Sequence, residues 1–134
     1  MILLALLAAF AVGPPRTPPP HVSGVSVTPP PAWIDDGVRS KWLAYGGYCW
    51  QTQCVDFLPP AQRTLPVVAV QRGTRLTVHF RFSASDVTVR VGTRTVAAGS
   101  GSTIAWRARS GGILDVHARG PGGSASYLAR IRIG

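Results

Sequence analysis

Apolar and polar side chains alternate along five stretches of this chain, and a period of two leaves room for little except β-strands. Leu76, Val78, Phe80 and Phe82 interleave with Thr77, His79 and Arg81, so four apolar groups share one face. The same pattern recurs in Val87–Val89–Val91, in Ile104–Trp106–Ala108 and in Leu114–Val116–Ala118. It closes the chain with Tyr127, Ala129, Ile131 and Ile133 set against Leu128, Arg130 and Arg132. Two further apolar segments, Leu65 to Val70 and Lys41 to Trp50, read as strands as well. Turn chemistry separates them at Gln71-Arg72-Gly73, Ser83 to Asp86, Gly99-Ser100-Gly101, Gly111-Gly112 and Gly120-Pro121-Gly122-Gly123. No stretch sustains a helical period. About seven short strands spaced by turns predict an all-β domain, an antiparallel β-sandwich over residues 32–134. The last two strands form a hairpin whose inner face is Leu114, Val116, Tyr127, Ala129 and Ile131.

The two segments before this domain have other characters. Ile2 to Val12 is an uncharged apolar run of eleven residues. It is shorter than the about 20 residues a membrane-spanning helix needs, and it has the length of a signal-peptide core. Residues 1–13 are therefore expected to be a signal segment, with at most a short N-terminal membrane association if uncleaved. No basic residue precedes the run, as though the true start lay upstream. No cysteine follows it, so a lipid anchor is not indicated. Residues 14–31 hold eight prolines in eighteen positions. Proline fixes φ and lacks an N–H, so this segment is expected to be an extended linker spanning up to about 55 Å.

Two blocks carry a resemblance. Gly47-Tyr48-Cys49-Trp50 with Cys54-Val55-Asp56, followed by a Pro-rich turn and an apolar strand, resembles uncharacterised exported Ig-like proteins of high-GC Gram-positive bacteria. The closing segment Leu114 to Ile133 resembles the last hairpin of Ig-like sandwiches in the same group. The resemblance implies an Ig-like fold and an extracytoplasmic location, secreted or at the outer face of the cytoplasmic membrane. It implies no activity.

Cys49 and Cys54, the only two cysteines, are expected to form a disulfide in an exported chain, clamping the turn Gln51-Thr52-Gln53. Their spacing is not the Cys-x-x-Cys of redox sites. No histidine or cysteine set has metal-ligand spacing, and no cofactor motif is present. Asp35-Asp36-Gly37 offers too few oxygens for calcium and reads as a turn. Asp115 and His117 share a strand face and invite acid–base chemistry, yet no nucleophile stands at a readable distance. A small hydrolase or redox protein stays open as an alternative to a non-catalytic contact module.

Charge points to surfaces. Thirteen Arg and one Lys face five Asp and no Glu, a formal net charge of +9. That excess suits an anionic partner, and it is also what a GC-rich genome writes. Arg81, Arg90, Arg107, Arg109, Arg119, Arg130 and Arg132 fall on outward strand positions and form the candidate anion-binding surface. The alternative is an ordinary solvated face that keeps strands soluble. No aromatic residue interleaves with these arginines, so specific nucleic-acid binding is not expected. The expected partner is an envelope protein or an anionic envelope polymer. Trp42, Tyr45, Tyr48 and Trp50 are candidate contact aromatics if exposed, and core if buried.

Overall fold

A computed structural model describes residues 12–134, so all but the end of the expected signal segment lies outside the described residues. Nine strands form: β1 (Trp33–Asp35), β2 (Ser40–Trp42), β3 (Ala44–Trp50), β4 (Gln53–Val55), β5 (Val67–Val70), β6 (Arg75–Val91), β7 (Arg94–Arg107), β8 (Gly112–Gly120) and β9 (Gly123–Ile133). Among the described residues the only helical element is a 3₁₀ turn at Pro60–Gln62. All nine strands belong to one sheet, in the order β2-β1-β6-β8-β9-β3-β4, with β7 on β6 and β5 on β9. Every pairing is antiparallel except β5 on β9. The sheet curls into a half-barrel with its apolar face inward.

The all-β expectation stands, but the count of about seven strands does not. Ser83 to Asp86 is no turn: β6 runs through it, joining two expected strands into one of 17 residues. Gly99 to Gly101 likewise lies inside β7. In both places the partner strand continues, and a shift of pairing register absorbs the polar residues. The three-residue strands β1 and β4 are too short to show a period.

Register explains the core. Leu76, Val78 and Phe80 are buried at even positions of β6, and Val87, Val89 and Val91 at odd ones. The irregularities between His79 and Val87 change the phase, so both halves face inward. Each buried Val or Leu contributes about 1.5–3 kcal/mol of transfer free energy. Leu114, Val116 and Ala118 on β8, with Ala125, Tyr127, Ala129 and Ile131 on β9, complete that face.

The β3–β4 hairpin turns on Gln51 and Thr52, with φ of 48° and 68°. Positive φ at both positions is the geometry whose twist matches a hairpin. Cys49 and Cys54 sit directly opposite each other and are bonded, so the disulfide staples this turn. The β8–β9 turn packs against it. A Cβ on Gly122 would lie 2.3 Å from Trp50, and one on Gly123 would lie 2.1 Å from the Cys49 carbonyl oxygen. Only glycine fits there.

The Pro-rich segment is not a free linker along its final residues. The Tyr48 hydroxyl donates to the Val27 carbonyl (3.0 Å), Tyr45 to Pro29 (2.5 Å) and Tyr127 to Pro30 (2.8 Å). Val27 N–H donates to Gln53 Oε1 (3.2 Å), and Pro29 is fully buried. Val22 and Val27 pack on the core as well. The physical reason is complementarity: a proline segment offers carbonyls without N–H groups, and tyrosine offers a donor on a large apolar ring. Burial pushes the ionisation of all three tyrosines upward, which keeps the hydroxyls protonated. The folding unit therefore begins before residue 32. One more bond ties the rim of the half-barrel: Lys41 Nζ on β2 donates to the Val67 carbonyl on β5 (2.5 Å).

This strap predicts that Tyr127→Phe lowers stability by about 1 kcal/mol, because the partly buried Pro30 carbonyl loses its donor. A chain starting at Ala32 keeps every strand yet should lose more than the Tyr45→Phe/Tyr48→Phe/Tyr127→Phe variant. Urea denaturation of the three proteins checks this, and an undiminished midpoint for the shortened chain would refute the strap.

Candidate functional site

The seven outward arginines are all exposed. Arg81 of β6 lies over the Trp42 ring, 5.5 Å from its centre. Arg90 stands opposite Asp115, and Arg119 opposite Asp86, so two of the seven have a carboxylate across the strand gap. Arg107 pairs across with Arg75 and donates from Nη1 to the Gly73 carbonyl (3.1 Å). Arg109 follows just after β7. Arg130 and Arg132 of β9 adjoin Val67 and Ala69 of β5.

The aromatic set divides. Tyr45, Tyr48 and Trp50 are 4%, 4% and 5% exposed, so they are core and not a contact surface. Tyr48 and Trp50 alternate inward on β3, and the register shift between Tyr45 and Tyr48 brings Tyr45 to the same face: the Tyr45–Tyr127 rings are 5.8 Å apart and the Trp50–Phe82 rings 5.3 Å. Trp42 alone keeps partial exposure, and its indole N–H donates to the Thr17 carbonyl (2.8 Å).

Around Trp42 the structure assembles a cluster that the sequence does not announce. Asp35 is a buried charged residue, 8% exposed. One carboxylate oxygen accepts from the Gly37 N–H (2.8 Å) and the other pairs with His79 Nε2 (2.5 Å). The His79 ring stacks on Trp33 at 4.8 Å, nearly parallel, and Trp33 meets Trp42 edge-on at 6.0 Å. Asp35, Trp33, His79 and Arg81 thus occupy adjoining strands on the outer side. Asp36, by contrast, does form a turn, accepting from the N–H groups of Val38 and Arg39. Asp35 and His79 lie 44 residues apart, so no local spacing could have paired them. With Nε2 held by Asp35, the imidazole is oriented and its Nδ1 is left for other contacts.

Asp115 and His117 share the outer face of β8, as expected. The hydroxyl missing from the sequence pattern is supplied by Ser126 on β9, directly opposite His117 and 3.1 Å from its Nδ1. The relay stops there. Asp115 Oδ1 is buried without a hydrogen-bond partner, so that oxygen does not orient the imidazole. Burial raises the Asp115 carboxyl above the ordinary aspartate range, and His117 and Arg90 only partly offset it. Cys49 and Cys54 are both consumed in the bridge, and among the described residues no free cysteine and no cluster of metal-ligating groups is present.

Comparison with known proteins finds no matching family model, no matching curated protein and no matching solved structure.

The raised carboxyl of Asp115 has a signed consequence. Its folded-state pKa exceeds the unfolded one, so folding favours the protonated form. That contribution is complete below the ordinary aspartate range and is lost as pH rises through the folded value. Asp115→Asn should therefore raise stability near neutral pH by about 1 kcal/mol, and by nothing near pH 3. Urea midpoints at the two pH values decide it, and an equal gain at both would exclude a buried carboxylate as the cause.

Proposed function

We propose that this chain is an exported, non-catalytic module of the Ig-like kind that works outside the cytoplasmic membrane by surface contact. Its partner is an anionic envelope polymer, met by the outward arginines. The observation that carries the reading is that all seven are solvent-exposed while only Arg90 and Arg119 stand opposite an aspartate. Five guanidinium groups are thus left without a carboxylate across the strand gap. Arginine presents a flat fork of donors to phosphate, sulfate or carboxylate, and holds its charge at any physiological pH. The formal charge of +9 adds a long-range attraction that raises encounter rates.

Location outside the cytoplasm is supported by the Cys49–Cys54 bridge, since such bonds persist in oxidising compartments. Among the described residues no helix is long and apolar enough to cross a membrane. The leading apolar run has signal-peptide length, and the β8–β9 hairpin carries the sequence resemblance to exported Ig-like proteins.

Electrostatic binding of this type weakens with salt. Affinity of the intact protein for a linear anionic polymer, such as sodium polyphosphate, should fall at least ~10-fold between about 50 and 200 mM salt. Calorimetric titration at the two concentrations measures it. Absent or salt-indifferent binding counts against the reading.

A further inference from the structure

The bend of β6 has a partner in β7. The two strands are joined by the two-residue turn Gly92-Thr93 and stay paired from Val91↔Arg94 to Arg75↔Arg107. Because their register shifts three times, the hairpin folds over on itself. Arg94 and Thr95, near its tip, come to line the same cleft as Trp106, Arg107, Arg109 and Ser110 at the other end of β7. The cleft measures about 370 Å³. It opens along a strand whose second edge carries no neighbour, since β7 pairs only with β6 among the described residues.

Its chemistry is one-sided. Three arginines line it with two hydroxyl side chains, and no carboxylate does. Arg94, Arg107 and Arg109 are all exposed, and the bond from Arg107 to the Gly73 carbonyl fixes one guanidinium at the rim. Three like charges around one hollow repel each other, and an anion between them turns that repulsion into attraction. The floor is Trp106, which is 8% exposed, so its ring is not offered as a platform for a nucleobase.

We infer that this cleft is a binding site for the phosphate groups of a linear, base-free phosphate polymer. The inference rests on the anionic-polymer reading above and adds the place and the ligand chemistry. Arg94 and Arg109 grip non-bridging oxygens through charge-assisted hydrogen bonds, Arg107 closes the rim, and Thr95 and Ser110 donate to remaining oxygens. A chain running along the free edge of β7 presents successive phosphates to the site, whereas a single free phosphate engages it once.

The test is calorimetric titration of the full chain at about 50 mM salt with three probes: sodium polyphosphate, inorganic phosphate and single-stranded DNA of equal phosphate content. Two variants of equal charge are compared, R94Q/R107Q/R109Q and R81Q/R90Q/R119Q. The cleft variant is expected to lose at least ~10-fold in polyphosphate affinity, and the comparison variant about threefold from lost net charge. Inorganic phosphate should bind more weakly than the polymer and compete with it. Circular dichroism and thermal midpoint report folding. Should the cleft variant not fold, R94Q and R109Q singly, each about threefold weaker, stand in for it. Equal losses in the two triple variants overturn the cleft and leave the arginine-surface reading intact. Wild type that binds no polymer overturns both. DNA binding more tightly than polyphosphate overturns the base-free ligand.

Discussion

The change of phase in β6 is the feature on which the other elements depend. A strand of 17 residues with a strict period would present one flat face and give its whole second edge to one partner. Irregular pairing between His79 and Val87 bends it instead. Its first half then takes β1 as neighbour, and its second half takes β8. The curl gathers Leu76, Val78 and Phe80 with Val87, Val89 and Val91 into one core, although they alternate on opposite parities. The same bend carries β7 around with it and brings the two ends of that strand to one cleft.

A curled sheet leaves its concave side to be covered, and here the chain that precedes the strands does it. Three tyrosine hydroxyls, rooted in β3 and β9, reach three carbonyls of the Pro-rich segment. The arrangement satisfies both sides. Buried tyrosine needs a hydrogen-bond partner, and a proline segment keeps its carbonyls while lacking the N–H groups that would make it a regular strand of the sheet. Tyr45 and Tyr48 thus act as an anchor for the strap, which is why they are buried and unavailable to a partner.

The outer face carries the charge, and its electrostatics are local. Arg90 and Arg119 stand opposite aspartates in the strand register, Arg81 rests on Trp42, and Arg107 joins Arg94 and Arg109 around a hollow free of carboxylate. Net charge alone would attract any polyanion. A specific contact needs guanidinium groups that converge with no internal counter-charge, because those keep their full attraction for a ligand. Asp115, His117 and Ser126 illustrate the converse, since their proximity brings no connected relay.

Much of this was legible in the sequence, for a reason rooted in backbone geometry. Alternation along a strand is a local property, so the inward positions of β8 and β9 and the outward arginines followed from spacing, and the stapled turn at Cys49–Cys54 from two lone cysteines close together in a chain read as exported. What spacing could not supply was the identity of neighbours. The pairing of Asp35 with His79, the strap under the tyrosines and the sharing of one cleft by Arg94 and Arg109 each join residues distant along the chain, and the fusion of two expected strands into β6 depends on the partner strand that runs past both. Those contacts are set by where the bulges fall and by which strands close the curl. That choice is made by packing of the whole core, where no single segment carries enough information to decide it.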